Sequence, residues 1–451
     1  MPTPDLANQQ RHSILNAAPL FKETNRLPLH LLIAFDHLSI PRGMGVMISK
    51  ADAIVIGSGG LGAATAYYLS KRERLSVVLV DKHDIGSQTS PRAAGMVSCA
   101  RKSDLMISLI KDACRKIETF TEETGQPLDW VHSGSLKIAR RPQNAEVIKA
   151  DFERGRRNGL DVELISPERA SRLNPFLKPT GVVAAMRIGD DRYFDPPQVA
   201  VGYARAAAAR GTTLMPKTDA LAVNIRAGKV TGVTTAKGTI EAPVVVDAAG
   251  AWTRLVAEAS GIRVPLVPTR QQLIVTEPLD GAHANQPMVR IMDAAVYMRP
   301  CQGGLLWGVY EEAPRFFEMQ SLGVNFDIKD MPLDIEVLRS AAAEVKDQLP
   351  ILQTAEVREF RGGIPTMTAD GHHILGPAPG VEGFYFASGC NVAGLSISPT
   401  VGEALAAWIV DGKPPVDLSP MSCTRFEDKS WSEAQLRRDA AWQYRHFYGA
   451  V

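Results

Sequence analysis

The stretch Ala51-Asp52-Ala53-Ile54-Val55-Ile56-Gly57-Ser58-Gly59-Gly60-Leu61-Gly62-Ala63-Ala64, continued by Ser76-Val77-Val78-Leu79-Val80-Asp81, decides how this chain is read. An apolar strand, a glycine turn, an alanine-rich helix, a second apolar strand and an acid follow in that order. Gly57 allows a tight turn off the strand, Gly59 lets the backbone approach a pyrophosphate, and Gly62 lets the helix pack closely on the sheet. The phosphates then meet a helix N-terminus, where unpaired N–H groups and the dipole favour negative charge. Asp81, nineteen positions beyond Gly62, places a carboxylate where adenosine ribose hydroxyls would lie. Ordinary loops also carry G-x-G-x-x-G, but the ordered strand, helix, strand and acid around this one predict a dinucleotide site. The motif leaves NAD and FAD open, while the acid argues against the 2′-phosphate of NADP.

The 451 residues are 45% hydrophobic and 22% charged, enough for a large core divided between two interleaved domains. Fifty basic and forty-nine acidic residues leave a net charge of +1, so no global field recruits nucleic acid or an anionic membrane. Cys99, Cys114, Cys301, Cys390 and Cys423 are widely spaced and form no C-x-x-C pair, which predicts neither a disulfide framework nor a zinc site and points to a reducing cytoplasm. The apolar segment 27–40 is interrupted by His30, Asp36 and His37 and is too short to span a bilayer. Residues 1–50 read as a poorly ordered extension without an assigned function, with Met44 or Met47 as an alternative start.

Beyond Asp81, the small-residue run 86–96 reads as a loop that lets a ligand approach closely. Helical periodicity predicts helices over 104–124, 199–210 and 333–349. Strand pairs are expected at 220–225 with 229–235, and a buried strand at 244–247 runs into Ala248-Ala249-Gly250-Ala251-Trp252. Short strands at 271–276, 295–299 and 304–310 mark a second, β-rich domain. Residues 383–389 form a late strand that returns to the first sheet, followed by a helix over 400–410 started by Pro399.

These pieces resemble the D-amino-acid-oxidase superfamily of FAD enzymes, and within it the flavin domain of sarcosine and dimethylglycine dehydrogenases. The resemblance runs over about residues 52–426. It rests on the glycine motif, on Val246 to Trp252, on Tyr297-Met298-Arg299 with Gly304 to Glu311, and on Ala369-Asp370-Gly371 through Gly376-Pro377 to Asp411-Gly412-Lys413-Pro414-Pro415. It implies an α/β (α+β overall) fold: a Rossmann-like FAD-binding domain assembled from 51–135, 192–262 and 362–418, and an antiparallel β-sheet substrate domain from 136–191 and 263–361, with 419–451 as a C-terminal tail. FAD is then the implied cofactor, with adenosine at Gly57, Gly59, Gly60, Gly62 and Asp81. The flavin ring is implied between Arg92-Ala93-Ala94-Gly95-Met96 and the loop carrying Gly394, Leu395 and Ser396. Lys82, Ser90, Ala222, Val223, Ala249, Gly250, Trp252 and Gly363 complete the expected cofactor set. A helix N-terminus at Pro399-Thr400 would stabilise negative charge at flavin N1 and O2.

Two departures from the family follow. Dimethylglycine dehydrogenases attach FAD through a histidine before Ala-Ala-Gly, where this chain has Arg92, and monomeric sarcosine oxidases use a cysteine where it has Ile364 and Pro365; non-covalent FAD is therefore expected. Leu306 stands where monomeric sarcosine oxidases place an oxygen-activating lysine, and Ser396 where they place a substrate-clamping lysine. The first change favours a dehydrogenase.

For the substrate, Tyr297 and Arg299 lie two apart on one strand and would share a face, where a guanidinium fork and a phenol suit a carboxylate. Arg270, Arg290 and Arg361 compete for that role. Tyr297 and Tyr310 would cap an alkylated amine, with Trp307 a weaker neighbour because strand alternation puts adjacent positions on opposite faces. His372 and His373 carry no metal-ligand spacing, no metal is expected, and Asp370 reads as a backbone cap. The implied reaction removes hydride from a carbon next to nitrogen, with no catalytic base assigned, and passes the electrons on to oxygen, an electron-transfer protein or a quinone. A flavin-dependent 2-hydroxy-acid dehydrogenase and an FAD-binding subunit docking through the charged, aromatic tail 427–451 are the alternatives.

Overall fold

The computed structural model describes residues 48–427, 429 and 431–449; the expected extension over 1–50 and the apolar segment 27–40 lie almost wholly outside the described residues. The opening motif folds as strand Ala53–Ile56, helix Gly60–Ser70 and strand Val77–Val80. Both strands are fully buried, as continuous β-branched runs covered on two faces require. They sit in a six-stranded sheet in the order Ile374–Pro377, Phe384–Ser388, Val244–Asp247, Ala53–Ile56, Val77–Val80, Thr213–Met215. All neighbours pair in parallel except the outermost, Ile374–Pro377. Sequence-distant strands thus flank the first one, and the late strand does return to this sheet.

A second sheet of eight strands takes Val357–Gly363, Gln271–Thr276, Gly304–Val309, Val296–Cys301, Met288–Ile291, Ser135–Ala139, Ala184–Ile188 and Val162–Ile165 in that order. Its pairs are antiparallel except Met288–Ile291 with Ser135–Ala139. The strand Val357–Gly363 runs across the expected 361/362 boundary. A smaller sheet carries the hairpin Ala220–Arg226 with Lys229–Thr235.

Three expected helices differ in detail. The one over 104–124 breaks at Thr119 into Asp104–Glu118 and Phe120–Thr124, and the one over 333–349 is confined to Ile335–Glu344. The late helix runs Gly394–Asp411 with Pro399 inside it, so its N-terminus lies five residues before the expected start. Proline removes the N–H that would bond the Leu395 carbonyl. Ser398 supplies the missing donor, its hydroxyl giving a 2.9 Å hydrogen bond to Leu395 O, and the helix continues through the proline.

The tail also folds onto its own chain. Helix Glu433–Arg445 is capped by Ser432, whose hydroxyl accepts from the Gln435 N–H, and Leu436, Ala440 and Tyr444, at fourfold spacing, are its buried face. They pack with Leu273, Val275 and Tyr297 of the eight-stranded sheet and with Tyr310, just beyond the strand Gly304–Val309. Among the described residues, no helix is long and apolar enough to cross a membrane.

Candidate active site

The glycine turn shows why its residues are what they are. A Cβ on Gly62 would stand 1.9 Å from Gly57 O, and one on Gly57, whose φ is +96°, would stand 2.4 Å from Ala248 O. Helix Gly60–Ser70 begins without a side-chain cap at Gly59, and only the Gly60 N–H among its first amides finds a side chain, Ser90 Oγ at 2.9 Å. The second strand's acid braces the turn: Asp81 accepts from the Ser58 N–H at 2.7 Å, the Ser58 hydroxyl at 2.5 Å and the His83 N–H at 2.7 Å. Burial pushes its carboxyl up, and the Ser58 hydroxyl opposes that.

A deep cavity opens from this turn and passes between the two sheets. Its walls include Gly59, Gly60, Ser90, Gly250 and Gly363, the loop Arg92, Ala93, Ala94, Gly95 and Met96, the helix start Gly394, Leu395 and Ser396, and the rings of Tyr297 and Tyr310. Fifteen expected site residues are brought together here. The helix Gly394–Asp411 presents its N-terminus to the cavity with no side-chain cap at Ala393, so an anion-favouring end does face the site, built from Gly394 to Ser396 rather than from Pro399. Arg92 contributes a buried Nε without a hydrogen-bond partner.

The remaining expected residues lie off this cavity. Lys82 pairs with Asp219 at 3.8 Å and its ammonium sits 5.8 Å from the Trp252 ring, placing both beside Asp81 and the turn, with Ala249 between Gly250 and the bracing carboxylate of Asp247. Ala222 and Val223 lie on the hairpin strand Ala220–Arg226, where the Val223 N–H is bonded to Ser260 Oγ at 2.9 Å and its side chain is buried in the core. Residues 218–219 of the same segment are the ones against Asp81 and Lys82, the Thr218 N–H donating to Asp81 O at 2.7 Å.

Arg299 is corrected as the carboxylate partner. Its Nε–H donates to Ala94 O, its Nη1 donates to Pro300 O at 2.7 Å, and its guanidinium lies 4.8 Å from the Tyr193 ring. It supports the 93–95 loop from behind, because the strand carrying it turns the guanidinium toward that carbonyl. Arg270 is held bidentately by Glu311, and Arg361 by Glu359. Arg290 does line the cavity, yet its charge is matched by buried Asp191 at 3.0 Å. Trp307 faces the opposite core, as alternation predicts. Neither His372 nor His373 lines the cavity, and burial drives His373 down to about 3. Asp370 accepts from the His372 N–H and pairs with Arg425.

Four cavity-lining side chains escaped sequence reasoning as site residues: Arg101, Gln271, Phe447 and Tyr448. Arg101 donates from Nε to Ser98 O at 2.8 Å and, among the described residues, has no carboxylate partner. Gln271 could have been found, since it shares a strand face with Leu273, another wall residue. The fourfold spacing in 436–444 announced a packed helix; nothing in the local sequence marks Arg101.

The cradle fits FAD. A Cβ on Gly60 would strike Leu395 Cδ1 at 2.6 Å, so the turn and the late helix meet closely there, and two uncapped helix ends and the unpartnered Arg92 Nε offer donors to an anionic dinucleotide and flavin edge. Human mitochondrial sarcosine dehydrogenase is 31% identical over 384 residues, which are 84% of this chain and 42% of that protein; the chain thus spans under half of that relative. The crystal structure of glycine oxidase from Geobacillus kaustophilus superposes with TM-score 0.73 at 25% identity, covering 84% of this chain and 99% of that one. That of L-proline dehydrogenase from P. horikoshii gives 0.75 at 24% identity, covering 86% and 100%. A family model described as FAD dependent oxidoreductase matches residues 52–408, so this chain, with FAD as its cofactor, belongs to the DAO family of FAD-dependent oxidoreductases.

Proposed function

We propose that this protein oxidises a C–N bond of a secondary or tertiary N-methyl amine or amino acid. The observation that carries the reading is the pairing, in one cavity, of Arg101, a cation with no carboxylate partner among the described residues, with the rings of Tyr297 and Tyr310. Arg92 belongs to the loop expected at the flavin, and Arg290 is neutralised, which leaves Arg101 for a substrate carboxylate. Relatives at comparable identity are named for such substrates: human dimethylglycine dehydrogenase is 26% identical over 408 residues.

Bound FAD supplies a hydride acceptor. The chain's own part is to hold and select. Arg101 fixes the carboxylate and so the orientation of the reacting C–H bond. The amine's carbon gives up a hydride with its electron pair, the nitrogen becomes iminium, and water then releases aldehyde and the shorter amine. Positive charge grows on nitrogen in that step, and the faces of Tyr297 and Tyr310 stabilise it. Burial raises both phenols well above their ordinary range, so neither serves as a base, and the substrate enters as the neutral amine. Gln271 fixes the Tyr297 phenol by donating to its oxygen at 2.9 Å.

FAD is held without a covalent bond in this reading, because Arg92, Ile364 and Pro365 stand at the attachment positions named above and offer no nucleophile; acid precipitation should leave yellow flavin in the supernatant, and a yellow pellet would point to Cys390, which lines the cavity. Leu306, buried behind Leu273 and Tyr297, offers no cation to activate oxygen, which supports an electron-transfer protein or quinone as acceptor. The decisive experiment follows flavin bleaching under nitrogen with sarcosine, dimethylglycine, proline and 2-hydroxyglutarate, then reoxidation in air. Bleaching by an amine and slow reoxidation are expected; bleaching by 2-hydroxyglutarate alone would overturn the amine assignment.

A further inference from the structure

We propose that the C-terminal segment 432–449, which lies beyond the family match, is the roof of the substrate site, and that Phe447 and Tyr448 select an amine bearing a single carboxylate and an apolar N-alkyl group. The inference rests on the amine reading above and assigns its substrate class and a new specificity element.

Tyr310 is the hub. Its ring stacks on Phe447 at 4.7 Å between centroids and 20° between planes, and meets Tyr448 edge-on at 5.2 Å and 85°. Tyr297 lies 5.8 Å away on the same wall. Tyr297 on its strand, Tyr310 just past the end of the next, and two tail residues thus form an aromatic box, and all four line the cavity. The Arg101 guanidinium stands 5.7 Å from the Phe447 ring centre, so the tail also covers the cation assigned to the carboxylate. An amino acid with its nitrogen neutral and its carboxylate ionised would, spanning the site, place the carboxylate on Arg101 and its N-alkyl group in the box. A second carboxylate would find Arg290 already matched by Asp191 and would meet ring faces, which repel anions.

The roof is tied down through groups that also touch the site. The Tyr444 hydroxyl donates to Gln271 Oε1 at 2.6 Å, and Gln271 Nε2 donates in turn to Tyr297 Oη at 2.9 Å and Val309 O at 2.9 Å. Lys102, next to Arg101, donates to His446 O. Tail position and the orientation of Tyr297 are therefore set by one hydrogen-bonded chain, and burial excludes the water that would otherwise screen growing charge on nitrogen.

The test uses the full chain with FAD bound and the variants Phe447→Leu and Tyr448→Leu, which keep bulk but lose the ring. Two readouts are taken: propionate binding, followed by perturbation of the flavin's visible spectrum, and anaerobic reduction by dimethylglycine and by the dicarboxylate iminodiacetate. The expected results are an unchanged resting flavin spectrum, propionate and dimethylglycine dissociation constants raised about tenfold, and a smaller preference for dimethylglycine over iminodiacetate. Wild-type affinity and selectivity in both variants would overturn the roof. If no amine bleaches the wild-type flavin while the leucine variants still weaken propionate binding, the amine reading fails and the roof stands.

Discussion

Gly62→Ala puts the close approach of helix and turn to the test. In a solvent-exposed helix this change would stabilise by about 1 kcal/mol, because alanine forms helix better than glycine. Here the new methyl carbon would lie 1.9 Å from Gly57 O and 3.0 Å from Ala248 Cβ, where ordinary contact begins near 3.4 Å, so helix and turn must separate by about 1.5 Å. Gly57 O is backbone and cannot rotate away. Neighbouring side chains are fully buried, with Ala63, Ala64 and Ala66 at 0% exposure, so the helix has no slack on its other faces. Overpacking of this kind costs about 1–3 kcal/mol, exceeding the propensity gain. The displaced N-terminus would also leave the pyrophosphate position, and FAD affinity should fall at least tenfold. Thermal unfolding of the apoprotein and FAD titration by quenching of flavin fluorescence read the two effects separately. Gly60→Ala is the control, since its methyl would meet the movable end of Leu395 and should leave apoprotein Tm nearly unchanged. A Gly62→Ala protein that purifies with full flavin and wild-type apoprotein Tm would refute the reasoning.

Arg101→Met should raise the dissociation constant of carboxylate-bearing substrates about 10- to 100-fold in rapid-reaction reduction, the range of a lost charge-assisted hydrogen bond, while FAD content stays the same. Arg299→Met removes the donor behind Ala94 O and should lower FAD affinity more than substrate affinity, seen by comparing flavin titration with propionate binding. Asp247 is fully buried, and burial lifts its carboxyl to about 7 from an ordinary 3.8. With the folded value above the unfolded one, its contribution is complete below about pH 4 and is lost as pH rises toward 7, on the order of 4 kcal/mol at most. Apoprotein Asp247→Asn should therefore show a flatter profile of urea midpoint against pH from 4 to 8 and exceed the parent above pH 7; parallel profiles would count against it.

Residues near one another in sequence carried most of the cofactor half. Gly57, Gly59, Gly62 and Asp81 act within one strand–helix–strand unit whose geometry follows from local sterics, so spacing alone located them. Even there, hydrogen bonding moved details: Ser398 lets the late helix pass through Pro399, which put its positive end at Gly394. The substrate half resisted. Alternation gave Tyr297 and Arg299 a shared face and weakened Trp307 as a neighbour; Tyr297 and Tyr310 line the cavity while Arg299 and Trp307 do not, and alternation could not tell which arginine would keep a free charge.

Sequence by itself determined that a dinucleotide turn follows the strand at 53–56 and that a late strand returns to its sheet, because these depend on backbone patterns written in consecutive residues, and the resemblance carried by several such patterns in order pointed to FAD. Tertiary structure alone decided the charge and shape of the substrate cavity. Asp191 cancels Arg290 from 99 positions away, Ala94 O occupies Arg299, and a tail helix brings Phe447 and Tyr448 onto Tyr310. Coulombic pairing and ring packing act through space, and which partners meet is fixed only when the sheets close.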